Sequence, residues 1–269
     1  TSLKDLLAHP QHIVITTHHK PDGDAMGSSL GLYNYLIQKG HHVRVIAPTD
    51  YPIFLHWLPN NPEVVIFTEK LEESTNLVKH ADLIFCLDFN TLTRINELGE
   101  LVRQASAKKV MIDHHLEPEG FDDFRHWTIN ACATAQLVYD FIANIMGDRS
   151  LINKDVATCL YTGIMTDSGS FRFPSTTPEV HHIVADLISK GAENSRIHQL
   201  VYDNFSENRL RFLGHCLLNN LEVFPEFNAA IISVPGSLLK QYEINTGDTE
   251  GLVNYALTIN GIRLAGLII

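Results

Sequence analysis

Short apolar runs rich in β-branched residues recur through the first half of the chain with a regularity that leaves few folds open. "HIVITT", "HVRVIAP", "VVIFT", "ADLIFCLDF" and "KKVMIDHH" are separated by amphipathic stretches at about 28–39, before His80, and around 95–105. Runs of this kind read as strands and the stretches between them as helices. A strand that is apolar almost throughout has no face to give to water. It therefore belongs to a parallel sheet covered on both sides by the helices that connect its strands. The expected fold class is α/β, with a Rossmann-like parallel sheet.

After "FRHWTINACATAQLVYDFIANIM" the pattern turns mainly helical, with Pro174 and Pro178 marking entries and Gly191 an exit. From "EVFPEFNAAIISVP" strands return, with a helix expected near "GDTEGLVNYALTI" and a last strand in "GIRLAGLII". The division expected is a first, larger domain over 1–194, a helical connector over 195–221, and the start of a second, smaller α/β domain over 222–269. The sequence begins at Thr1 without Met and stops in that last strand, so native residues are expected to be missing at both ends.

The formal charge of −11 gives no long-range attraction for extended DNA or RNA, so a nucleic-acid partner should be short or gripped locally, and long duplexes are not expected. Cys86, Cys132, Cys159 and Cys216 are far apart and lie mostly in apolar runs, which fits buried free thiols in a reducing compartment. No apolar run is long enough for a membrane span and no leader is recognisable, which makes the cytoplasm the expected location. Oligomeric state is left open, with a homodimer among the options.

Chemistry concentrates at the ends of the apolar runs. "HIVITT" is followed by His18, Asp22 and Asp24; "ADLIFCL" by Asp88; "KKVMI" by Asp113, His114 and His115; and Asp167 ends the helical stretch "YTGIMTD". In an open parallel sheet ligands bind outside the carboxyl ends of the strands. Asp22 and Asp24 flank Gly23, so an extended turn can aim both carboxylates one way. Clustered carboxylates repel one another unless a cation or proton neutralises them. Hard oxygen donors mixed with imidazole suit Mn²⁺, or Mg²⁺ with more water. His41, His42, His181 and His182 have no carboxylate cluster beside them and read as ordinary surface or packing residues.

"HHKPDGDAMGSSLGL", "CLDFN", "IDHH" and "TGIMTDSGSF" resemble, in order and spacing, the four motifs of the DHH phosphoesterase superfamily, over about residues 13–173. "DTEGLVNYALTINGIRLAGLI" is similar to the accessory domain of the subgroup that combines oligoribonuclease and 3′-phosphoadenosine-5′-phosphate (pAp) phosphatase activity. The resemblance implies a two-metal centre: His18 and Asp22 on one ion; Asp24, His114 and Asp167 on the other; Asp88 bridging both. His115 would face the scissile phosphate, Asp113 would orient a histidine, His19 would be a non-ligand, and Asn90 and Arg172 would touch substrate. The glycine-rich GGGH motif of the family is absent from this sequence. The implied activity is Mn-dependent hydrolysis of short RNA oligonucleotides and pAp by water activated between two metals. Its alternatives are hydrolysis of cyclic dinucleotides, polyphosphate or pyrophosphate, and, from another class, a non-catalytic nucleotide-binding module.

Overall fold

The computed structural model describes residues 2–269, and the chain divides into two compact units, Thr1–Leu200 and Val201–Ile269. In the first, β1 (His12–Thr16), β2 (His42–Ala47), β3 (Val64–Ile66), β4 (Leu83–Leu87), β5 (Lys108–Asp113) and β6 (Phe124–Trp127) form one sheet in the order β3-β2-β1-β4-β5-β6. Every neighbouring pair is parallel. The helices of this unit are α1 (Leu3–Leu6), α2 (Gly23–Gln38), α3 (Leu71–Lys79), α4 (Glu97–Gln104), α5 (Thr134–Asp140), α6 (Lys154–Asp167), α7 (Pro178–Ser189) and α8 (Asn194–Tyr202), the last running across the division. The α/β class expected from the apolar runs is the class found.

The central strands are apolar because both their faces are covered. All five residues of β4 are buried, and Val14, Ile46, Ile84 and Cys86 pack with Val78, Leu98 and Val102 from α3 and α4. Removing each such side chain from water is worth about 1.5–3 kcal/mol. On the other face, Phe85 meets Phe141 edge to face, with centroids 6.0 Å apart. β1 leads to β2 on one side of the sheet while β4 and β5 extend it on the other, so the strand order reverses between β1 and β4. That is where a crevice opens at the carboxyl edge of such a sheet.

α2 and α6 approach backbone to backbone. A Cβ placed on Gly27 would lie 2.6 Å from the Cys159 carbonyl oxygen and 2.7 Å from the Gly163 nitrogen. One on Gly163 would lie 2.6 Å from the Ala135 Cβ and 2.9 Å from Asp24 Oδ1. With Gly23 against Thr166, the start of α2 lies beside the end of α6, and only residues without a side chain allow the two helices so close.

A polar tie fastens the far end of α2. The buried Tyr35 hydroxyl donates to Asp148 Oδ2, and Lys39 Nζ sits 2.6 Å from the same oxygen. Burial pushes the Asp148 carboxyl up, but the Lys39 and Tyr35 hydrogen bonds outweigh it and the group ends below its usual range. Asp148→Ala is expected to cost about 1–3 kcal/mol at neutral pH by orphaning the tyrosine hydroxyl. A carboxyl lowered on folding stabilises above its unfolded value of about 4 and loses that contribution as pH falls through the native value. The gap between urea melts of wild type and variant should therefore narrow on acidification below that point, and a gap independent of pH would contradict the tie.

The second unit has a three-stranded sheet, β7 (Leu221–Phe224), β8 (Ala229–Ser233) and β9 (Leu264–Ile268), with β7 antiparallel and β9 parallel to β8. Its helices are α9 (Glu207–His215), α10 (Gly236–Gln241) and α11 (Leu252–Leu257). Phe212 and Cys216 join Ala230, Ile232, Leu238, Leu252 and Ala256 in one core. Of the segment read as a connector over 195–221, the part from Phe212 to Leu221 packs into the second unit's core, and the division between the two compact units falls at 200/201, inside that segment and between the expected boundaries at 194/195 and 221/222. β6 has no counterpart in the sequence reading, which placed "FRHW" at the entry to a helical region. All four cysteines are free and buried. Among the described residues no helix is long and apolar enough to cross a membrane.

Candidate metal centre

β1 ends at Thr16, and two residues later His18 turns inward, 8% exposed. Asp22 does not lie in an extended turn, as its spacing from Asp24 suggested. It is the N-cap of α2, its Oδ1 accepting the N–H groups of Asp24 and Ala25 at 3.0 Å. Capping begins the helix at Gly23, ahead of the serines, and puts Asp24 in the first turn, almost wholly buried. Asp88 follows β4 with a left-handed backbone, φ 65°, its N–H donating to the Ile112 carbonyl. A non-glycine residue in that region is strained, and such strain persists only where its surroundings enforce it. Asp113 closes β5 and is followed by His114 and His115; Asp167 is the last residue of α6.

Two groups of donors meet at Asp88. His18 Nε2 lies 3.8 Å from Asp22 Oδ1 and 3.5 Å from Asp88 Oδ2. His114 Nε2 lies 3.5 Å from Asp88 Oδ1, 3.5 Å from Asp167 Oδ2 and 4.0 Å from Asp24 Oδ2. The ligand atoms of His18, Asp22 and Asp88 lie within 4.8 Å of one another, as do those of Asp24, His114 and Asp167. The two oxygens of Asp88 thus face different groups. Asp88, His114 and His115 satisfy the same spacing, but His115 Nδ1 is already 2.7 Å from Asp113 Oδ1.

The opposite ring nitrogens fix the tautomers. His18 Nδ1 is 2.9 Å from the carbonyl of His19, and His114 Nδ1 is 3.2 Å from that of Ala131. A carbonyl only accepts, so each Nδ1 carries hydrogen and, in a neutral ring, Nε2 turns a lone pair toward carboxylates. That arrangement repels unless positive charge lies between. Burial pulls both imidazoles down, yet hydrogen bonds to Asp22 and Asp88 for His18, and to Asp88 with the charges of Asp24 and Asp167 for His114, push each up to about 10.

The carboxylates carry the same message. Burial pushes Asp24 well above its ordinary range, reinforced by the charges of Asp88 and Asp167. Burial also raises Asp167, to about 6, against the opposing charge of His114. Asp88, by contrast with Asp24 and Asp167, is held below its usual range, the two imidazoles outweighing its burial. Both Asp24 oxygens nevertheless accept backbone N–H groups, from Thr134 at 2.6 Å and Ala135 at 2.9 Å, which suits an ionised carboxylate. Among the described residues, the ion pairs of these aspartates are with histidines and not with lysine or arginine. A donor set of oxygens and imidazole nitrogens, short of positive charge and already oriented from behind, fits divalent cations.

Several residues reach this place without a sequence signal. The Thr134 hydroxyl donates to Asp88 Oδ1 at 2.9 Å, and Ala133, at the N-cap of α5, offers no capping side chain, so Asp24 does the capping. Trp127 Nε1 donates to the His115 carbonyl at 2.6 Å. A small-residue start to an apolar helix in "ACATAQL" is the one trace the sequence holds of a cap supplied from elsewhere. Asn90, read as a substrate contact, spends its Nδ2 donor on the Leu116 carbonyl at 2.6 Å and so fastens the loop after His115. Arg172 is exposed, its Nε donating to the Gly169 carbonyl. His41 lies away from the cluster, its Nδ1 accepting from the Gln11 N–H.

A doubly covered parallel sheet with this arrangement of aspartates and histidines at its switch point defines a family. Residues 12–164 match the DHH family, N-terminal domain, and the chain belongs to that family. It is similar to the bifunctional oligoribonuclease and PAP phosphatase NrnA of Thermus thermophilus, 38% identical over 181 residues, covering 67% of this chain and 51% of that protein. It is also similar to the protein of the same name from Bacillus subtilis, 25% identical over 253 residues, covering 93% and 75% respectively. The crystal structure of an exopolyphosphatase-related protein from Bacteroides fragilis superposes with a TM-score of 0.91 at 39% identity, covering 96% of this chain and 76% of that one. The chain spans about half the length of the Thermus relative.

Proposed function

We propose that this protein is a divalent-metal-dependent phosphohydrolase of the cytoplasm that shortens very small RNA oligonucleotides and removes the 3′-phosphate of pAp. The observation carrying the metal reading is the meeting of two donor groups at the two oxygens of Asp88, with imidazole Nε2 atoms facing carboxylates. The substrate reading is supported by the similarity to the two bifunctional relatives. In this reading His18 and Asp22 hold one ion, Asp24, His114 and Asp167 a second, and Asp88 both. Mn²⁺ matches the mixed oxygen and nitrogen donors, with Mg²⁺ as the alternative. When bound, such a pair of cations supplies Lewis acidity toward the phosphoryl oxygens and lowers the pKa of water.

The chain's own residues do the rest. Thr134, through its hydroxyl and its N–H, orients Asp88 and Asp24. The carbonyls of His19 and Ala131 lock the rings of His18 and His114, as metal-binding imidazoles require. Asp113 accepts from His115 Nδ1, so a doubly protonated His115 ring would have its Nε2–H left to donate to a phosphoryl oxygen as charge develops there.

Polyphosphate hydrolysis is the second reading, favoured by the similarity to the exopolyphosphatase-related protein from Bacteroides fragilis. A panel of 5′-phosphorylated ribodinucleotides, pAp, polyphosphate and cyclic diadenylate separates the two. The expected result is turnover of the first two substrates, abolished by EDTA and restored by Mn²⁺. Turnover of polyphosphate alone would move the protein to the second reading, and turnover indifferent to chelation would end the metal reading.

A further inference from the structure

We infer that Trp127, with Leu116 and Ile129, forms a shelf beside the metal centre on which a nucleobase of the substrate stacks. The inference rests on the ribonucleotide reading above and names a recognition element for it. Trp127 is 36% exposed, Leu116 66% and Ile129 52%. Apolar residues exposed singly need no explanation, but these three are bound to one place. The indole N–H of Trp127 donates to the His115 carbonyl at 2.6 Å. Leu116 is the next residue, and its carbonyl is fastened by Asn90. The segment leaving β6 passes through Ile129 to Ala131, whose carbonyl accepts from His114 Nδ1. The contacts that orient the two histidines therefore also gather the apolar residues around them.

Register places the ring further. Trp127 pairs with Asp113 across β5 and β6, so the indole stands at the carboxyl edge of the sheet, level with the aspartate that holds His115. Large aromatic rings are seldom left this open. This one has its N–H satisfied and its orientation set before any ligand arrives, so little freedom is lost when a flat ring lands on it. Stacking on an indole accepts any base, because every base has a π-face. A shelf of this kind tolerates sequence, while the phosphate is fixed at the metal centre.

The test compares a 5′-phosphorylated ribodinucleotide with a counterpart carrying an abasic ribose, in Mn²⁺-loaded protein. Wild type should prefer the complete dinucleotide by KM; Trp127→Ala should reduce that preference about ten-fold or more, the range that base stacking spans. Trp127→Phe should keep most of it, and Leu116→Ser, at an exposed position where folding is not at stake, should reduce it in the same direction. Trp57 and Trp127 are the two tryptophans, so dinucleotide binding should quench indole emission in Trp57→Phe and leave it unchanged in Trp127→Phe. An undiminished preference in Trp127→Ala, or Phe behaving as Ala, would overturn the shelf and leave the ribonucleotide reading standing. A wild type that turns over no ribonucleotide would remove that reading first, and the shelf with it.

Discussion

Asp88→Asn is expected to cut turnover on the order of 10³-fold or more and to lower bound metal, because a neutral amide cannot balance two dications. The carboxylate is almost wholly buried and offers one oxygen toward His18 and the other toward His114. Asparagine keeps the shape and loses the charge, and its amide nitrogen would present hydrogens where a donor oxygen stood. Metal content by elemental analysis and kcat on pAp are the readouts, with circular dichroism confirming the fold. Full metal content together with wild-type turnover would take Asp88 out of the centre.

Gly27→Ala is expected to lower the thermal midpoint on the order of 5–10 °C, since forced overpacking costs about 1–3 kcal/mol or more in a chain of this size. The new methyl would meet the Cys159 carbonyl and the Gly163 backbone at under 3 Å, and backbone atoms cannot rotate away as a side-chain tip can. Relief requires α2 and α6 to part, which separates Asp24 from Asp167. Metal affinity should fall along with stability. Gly40→Ala is the control: it has a positive φ but nothing within 4 Å, so the variant should lose some stability through strain and keep its metal affinity. A Gly27→Ala protein with both properties intact would show that the helices tolerate a wider crossing.

The sheet and the residues around its carboxyl edge were legible because both rest on local patterns. A buried parallel strand needs an unbroken apolar run, and aspartates and histidines directly after such a run stand out against it, as they do after Thr17, Leu87 and Ile112. What escaped depends on partners remote in sequence. Thr134 and Ala131 are ordinary residues until β6 and α5 carry them back to the sheet edge. β6 itself is a short edge strand with Arg125 and His126 in it, too polar to register as an apolar run. The start of α2 was placed at the serines because Asp22 and Asp24 read as a turn; the aspartate that caps a helix is also a turn former, and only its hydrogen bonds decide which. The α9 stripe around Phe212 looked like a linker because the core it fills is assembled from strands that come later.

Asp24 caps α5 from 110 positions away, and this orders assembly in time. Helices usually begin on a neighbour's side chain, available as soon as the segment emerges, but the first amides of α5 must wait for a loop of that length to close. A partly synthesised chain that has produced β1 through β5 holds Asp24 without its donors and Asp88 without the threonine hydroxyl. Closure of the domain and orientation of the carboxylates therefore coincide: until α5 docks, neither Asp24 nor Asp88 has the donors that hold it in place.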